Sequence, residues 1–181
     1  REWLARAGEP GAAVAGVPAA ADRHGCPNGF LRDPEKEREI LLFDRFRQEE
    51  MADFVLALAT ACRRATEGRK LVVLFYGYYF EFPPLRNGAP YSGHYALPKV
   101  LASPDIDVLC APISYFDRGW PGTAPCMSPA ESVMAAGKLW LNEDDTRTYL
   151  ARTTAYGGVA DLPQTLDVMR RNGAQDRKSV V

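Results

Sequence analysis

Three short apolar runs decide most of what this chain can become. Residues 70–80 (KLVVLFYGYYF), 105–115 (DIDVLCAPISY) and 138–142 (KLWLN) are β-branched, aromatic or aliphatic almost throughout, and stretches of helical character separate them. The first run is apolar on both alternating faces, too apolar for a strand with one wet side, so it reads as a buried strand of a parallel sheet. Before the first strand, Asp33-Pro34 offers an N-cap and a proline at the first helical position, with Glu35 in the first turn. Phe43, Phe46, Phe54, Val55, Leu58 and Cys62 then recur at helical spacing to about Thr66, and Gly68 ends the helix. Ser92 caps a second helix through about Leu101, shortened or kinked by Pro98. Ser128-Pro-Ala-Glu131 combines a capping box with proline, Gly137 supplies a stop, and a last helix runs from near Leu162 to Asn172 and closes at Gly173.

Helix, strand, helix, strand, helix, strand, helix implies right-handed crossovers and an α/β fold with a parallel sheet. Connections are short before each strand and long after it, which is how a (β/α)8 TIM barrel arranges an active site at its strand C-terminal ends. A whole barrel needs eight strands in about 250 residues, so three strands predict a partial one. The smaller alternative is an open α/β sheet, but no Gly-rich phosphate loop follows any strand to give it a nucleotide site.

A hydrophobic content of 46% with three Trp suffices for one globular core in 181 residues. The core is expected over residues 28–175, because residues 7–29 are rich in Ala, Gly and Pro and make 1–27 read as an irregular connection. Arg1-Glu-Trp-Leu4 looks like the middle of a helix, and residues 176–181 match one reading frame of a common sequencing adapter, so a fragment with a non-native tail is expected. With 22 basic against 23 acidic residues, the net charge of −1 offers no field to recruit nucleic acid or an anionic membrane. No apolar run approaches the roughly 20 residues of a membrane span. Cys26, Cys62, Cys110 and Cys126 form no CxxC pair, and with only His24 and His94 they make a poor metal set. No metal or cofactor is expected, and the cysteines read as reduced, which favours a cytoplasmic compartment.

Chemistry-bearing residues gather where the strands end. Tyr76, Tyr78 and Glu81 follow the first; Tyr115, Asp117 and Arg118 the second; Asn142, Glu143, Asp144, Asp145 and Arg147 the third. His94 follows Ser92-Gly93. Carboxylates, tyrosines and arginine without a serine elbow suit a neutral polyhydroxylated substrate, whose hydroxyls need acceptors and whose ring faces need aromatic platforms. Each has a duller reading: Glu81 as a solvated loop acid, Arg147 as a surface partner of Asp144 or Asp145, His94 in a structural hydrogen bond, the Tyr76–Tyr79 cluster as partly core, and Trp140 as packing. Glu143, at the abrupt end of the third run, is the lead catalytic candidate.

Phe75-Tyr-Gly-Tyr78, Ser92-Gly-His94, Ser103-Pro-Asp-Ile-Asp-Val108, Pro112-Ile-Ser-Tyr115 and Gly137-Lys-Leu-Trp-Leu-Asn-Glu-Asp-Asp-Thr-Arg-Thr148 occur in that order. Together they resemble the catalytic barrel of β-galactosidase-like glycoside hydrolases, close to family 42 of clan A, over about residues 28–172. The resemblance implies strands five to seven of the barrel, a carbohydrate substrate, and Glu143 as the nucleophile of a retaining mechanism. The candidates for substrate contact are the residues already gathered from the strand ends and the Ser92-Gly93 turn, Tyr76, Tyr78, Glu81, His94, Tyr115, Asn142, Asp144 and Arg147, and the resemblance implies an acid/base Glu on a fourth strand preceding Arg1. An Asn-Glu pair is also typical of the clan's acid/base strand, which would make Glu143 the proton donor; the order of neighbouring motifs favours the nucleophile. A homo-oligomeric parent is compatible with the resemblance. The alternatives are a non-catalytic carbohydrate-binding barrel and an inactive truncated product.

Overall fold

The computed structural model describes residues 2–9, 16–24, 31–85, 88–151 and 157–178, with side chains as far as 176. In chain order the elements are α1 (Glu2–Arg6), α2 (Ala20–His24), α3 (Arg38–Ala65), β1 (Val73–Phe75), α4 (Gly88–Ser92), α5 (Leu97–Leu101), β2 (Val108–Pro112), α6 (Ala130–Ala135), β3 (Leu139–Glu143) and α7 (Leu162–Lys178).

The three strands form one parallel sheet in the order β1-β2-β3. Register puts Leu74, Leu109 and Trp140 side by side, and the core cluster joins them to Ala52 and Ala59 of α3, Leu97 and Val100 of α5 and Val133 of α6. Successive side chains of a strand alternate between faces. Val73, Val108 and Leu139, and one step on Phe75, Cys110 and Leu141, therefore share the opposite face. There the edge-strand side chains stand half in water, Val73 at 48% and Leu139 at 60% exposure, while all five residues of central β2 are buried. Fully burying such a side chain is worth roughly 1.5–3 kcal/mol, so this face forgoes several kcal/mol as it stands.

Tertiary contacts reset several boundaries. The Asp33 carboxylate accepts the N–H groups of Glu35 and Lys36, both at 3.0 Å, and so caps a turn rather than α3, which starts at Arg38. The first apolar run yields only three strand residues, because the chain turns at Gly77, where φ is 88°. Ser92 ends a helix instead of starting one: its hydroxyl donates to the Ala89 carbonyl at 3.0 Å. Pro98, expected to kink a helix, sits in the first turn of α5, where a missing N–H costs nothing.

Gly173 does not close the last helix. Mid-helix glycine costs about 1 kcal/mol, and contacts beyond it outweigh that: Gln175 donates to the Thr123 carbonyl at 2.5 Å and Asp176 accepts the Asn142 amide at 2.8 Å. Residues 176–178 thus continue α7. Within residues 1–27 the structure describes two short helices: α1, over the stretch read from sequence as helical, and α2, in the Ala-rich part read as irregular. Alanine, read there as a sign of irregularity, is the best helix former. Trp3 of α1 sets its ring edge-on to Phe46 at 5.6 Å and donates its indole N–H to Glu49 at 3.0 Å.

Candidate active site

Glu143 closes β3 opposite Pro112 of β2, on the same face as Leu139 and Leu141. It is exposed, and among the described residues no hydrogen bond engages its carboxylate. Its acidic neighbours are occupied. Asp144 accepts the Asn172 amide at 2.6 Å and the Thr146 hydroxyl, tying this loop to α7. Asp145 accepts Arg118 Nη1 at 2.7 Å, and its carbonyl takes the same nitrogen at 2.8 Å. The ion pair expected of Arg147 therefore belongs to Arg118, whereas Arg147 Nε is buried without a hydrogen-bond partner among the described residues. Asn142 shares the helix-covered face with Trp140 and donates to Asp176.

From β1, Gly77 swings the chain so that Tyr78 lies toward Glu143. Burial raises the Tyr78 phenol well above its ordinary pKa, and the nearby Cys110, Glu143 and Tyr115 push it further. Burial also lifts the Cys110 thiol to about 11, with Glu143 adding to the effect. Tyr115 is raised by burial and then by Asp145, with Arg118 opposing and Glu143 adding. Three side chains, one within β2 and two from the segments that follow β1 and β2, thus sense the Glu143 charge. Both phenols are neutral donors at ordinary pH.

Three further groups brace them. Glu81, only 5% exposed, accepts the Tyr115 N–H on Oε1 at 3.0 Å, while its buried Oε2 has no partner among the described residues. It is a buried clamp between the ends of β1 and β2 rather than a solvated loop acid. Arg118, 1% exposed, lays its guanidinium over the Tyr115 ring at 4.2 Å. His94 stacks on Tyr78 at 4.3 Å and on Tyr76 at 5.2 Å. Tyr76 itself is 2% exposed, belongs to the helix-side core, and burial pushes its phenol to about 12.

The structure thus brings Glu143, Tyr78, Tyr115 and His94 into one contiguous group, with Glu81 behind them. It turns Tyr76, Asn142 and Asp144 to structural contacts. Cys110 and the bracing role of Arg118 were not expected from sequence; the only local signal for Arg118 was its place after the second strand. Among the described residues no group of three or more His, Cys, Asp or Glu side chains is placed to hold a metal ion, and no helix is long and apolar enough to cross a membrane. A free carboxylate at the rim of an apolar face, flanked by neutral hydroxyl and imidazole donors, can attack or stabilise an electrophilic carbon and hydrogen-bond a polyol around it. No protein-family model, no curated protein and no solved structure matches the chain.

Proposed function

We propose that the chain forms part of the catalytic barrel of a retaining glycoside hydrolase, with Glu143 as its nucleophile. The particular activity we infer is β-galactosidase-like, on the motif resemblance set out above. The observation that carries the reading is the placement of Glu143: among the described residues, the one acid of its cluster without a structural partner, at the C-terminal end of a parallel strand, on the sheet face that no core cluster of those residues covers. In a barrel that face is the interior and those strand ends are the active-site rim. The unpaired edges of β1 and β3 are then joints with further strands.

In this reading a Glu143 oxygen attacks the anomeric carbon, and the bond to the leaving oxygen breaks as a second carboxylic acid protonates it. Water, deprotonated by that same group, then cleaves the glycosyl ester and frees Glu143. Retention requires the two carboxyl groups about 5 to 5.5 Å apart. Asp145 is unsuited to be the second, since it is bound to Arg118; the acid belongs on a neighbouring strand outside this sheet. Tyr78 donates a hydrogen bond to Glu143 or to the sugar as charge shifts during the reaction, while Tyr115, hydrogen-bonded to Asp145, walls the site beside it.

Replacement of Glu143 by Ala is expected to lower hydrolysis of an aryl β-galactoside by at least a thousandfold, with partial recovery in azide as a glycosyl azide. Unchanged turnover in that variant would sink the proposal.

A further inference from the structure

His94 is held by restraints that fix more than its position. Its Nδ1 accepts two backbone N–H groups, from Gly77 at 3.1 Å and from Tyr78 at 3.4 Å. A nitrogen facing two donors carries no proton, so the ring's single proton sits on Nε2. The ring is packed between Tyr76 and Tyr78, with Phe82 at 5.3 Å, and a flip would forfeit both backbone hydrogen bonds.

The segment around it is equally anchored. Buried Gln48 of α3 accepts the Tyr95 N–H at 2.9 Å and donates to the carbonyls of Ala89 and Pro90 at 3.2 and 3.0 Å. The His94 N–H itself donates to Ser92 Oγ at 3.2 Å. Gly93 has φ of 76°, and a Cβ there would lie 2.8 Å from Met51 Cγ, so α3 comes this close only to glycine. Among the described residues nothing bonds Nε2, and it is not among the sealed-off polar atoms. Tyr78, stacked on the imidazole, is the same residue that senses Glu143.

We infer that His94 is a fixed neutral donor of the site, presenting Nε2–H to an acceptor oxygen of the ligand and taking no part in proton transfer. The glycosidase reading supplies the identity of that ligand, a sugar whose hydroxyl or ether oxygen accepts the bond; the state of the ring does not depend on it. Among the described residues the titratable groups stacked on the ring are the phenols of Tyr76 and Tyr78, which burial keeps neutral, so they bring no negative charge to hold an imidazolium. Burial acts in the same direction and holds the ring's pKa down at about 4.

The test has two arms. Nitrogen-15 NMR of the imidazoles between pH 5 and 8 should show His94 neutral, with a bare Nδ1 and a protonated Nε2. In the active enzyme, His94→Asn keeps an acceptor for Gly77 and Tyr78 but lacks the Nε2 donor. With an aryl β-galactoside it should raise KM about tenfold, the worth of one hydrogen bond, leave kcat within about threefold, and keep the shape of the pH profile. An Nδ1–H tautomer, an imidazolium at pH 6 to 7, or a lost limb of the kcat profile in His94→Asn would overturn the inference. The expected spectrum in an enzyme that turns over no glycoside would overturn the glycosidase reading and uphold the assigned state of His94.

Discussion

A half-buried imidazole stacks on Tyr78 and a buried guanidinium lies over Tyr115, and each has a cost that can be measured. Burial holds the His94 pKa down at about 4 in the folded chain against an ordinary value of about 6.5, so between those values the unfolded chain binds the extra proton. Stability from this group is complete above about pH 6.5 and is lost as pH falls toward 4, up to roughly 3 kcal/mol. Thermal unfolding should therefore show Tm falling between pH 6.5 and 4.5 in the wild type and falling less in His94→Asn. Equal slopes in the two would contradict it. Below this window Asp107 and Asp117 add to the loss, because hydrogen bonds from Val72 N–H and from Thr123 hold their carboxyls below the ordinary value. Arg118 is sealed in by the Asp145 pair and the Tyr115 ring. Removing one member of a well-buried pair costs about 3–5 kcal/mol; with Asp145 38% exposed, Asp145→Asn should cost less, about 1–2 kcal/mol by chemical denaturation. These fates were not legible in the sequence. That Glu143 ends a strand follows from the local run of apolar residues, whereas Glu81 meets Tyr115 across 34 positions and Arg118 meets Asp145 across 27.

Elements were legible where a single periodic pattern ruled, as in the 28-residue α3, and less so where loops decided the ends. The three apolar runs mark three parallel strands, but hydrophobic length exceeds strand length, because Tyr76 and Tyr79 continue the apolar pattern as core and loop anchors after the ladder has stopped. Tyr79 and Tyr95 illustrate the point: their rings stack at 4.7 Å and each hydroxyl donates to the other's carbonyl, at 2.8 and 3.0 Å. Helix α7 ran past its expected glycine stop because its polar side chains are bound to the strand-end loops. Arg171 donates to the carbonyls of Arg118 and Gly119 at 2.8 and 2.9 Å, and Asn172, fully buried, bonds Asp144 and Thr146. Asn172→Ala should cost about 1–3 kcal/mol, since it deletes a fully buried amide together with its hydrogen bonds to the strand-end loop. Hydrogen exchange across residues 162–178 should rise in this variant while that of β2 stays slow. Unchanged protection of α7 would show that these bonds do not dock it.

At the scale of the molecule the governing feature is a parallel sheet with one face under helices and one face apolar and half exposed. Charge placed on the two faces should act differently. Leu109→Lys, on the covered face of the central strand, should prevent folding, whereas Leu141→Lys, on the other face, should leave the isolated chain folded and lower its binding of a hydrophobic dye. In an intact barrel Leu141 would be interior, so there the same substitution should destabilise. The alternation of helix and strand made the parallel sheet legible, but the sequence alone placed no further strands against its open face. The most direct measurement is covalent trapping of the protein with a 2-deoxy-2-fluoro β-galactoside carrying a good leaving group, followed by peptide mass spectrometry. The expected result is one glycosyl adduct, on Glu143; an adduct on a different carboxylate, or an inverted anomer as first product, would contradict Glu143 as the nucleophile of a retaining glycosidase.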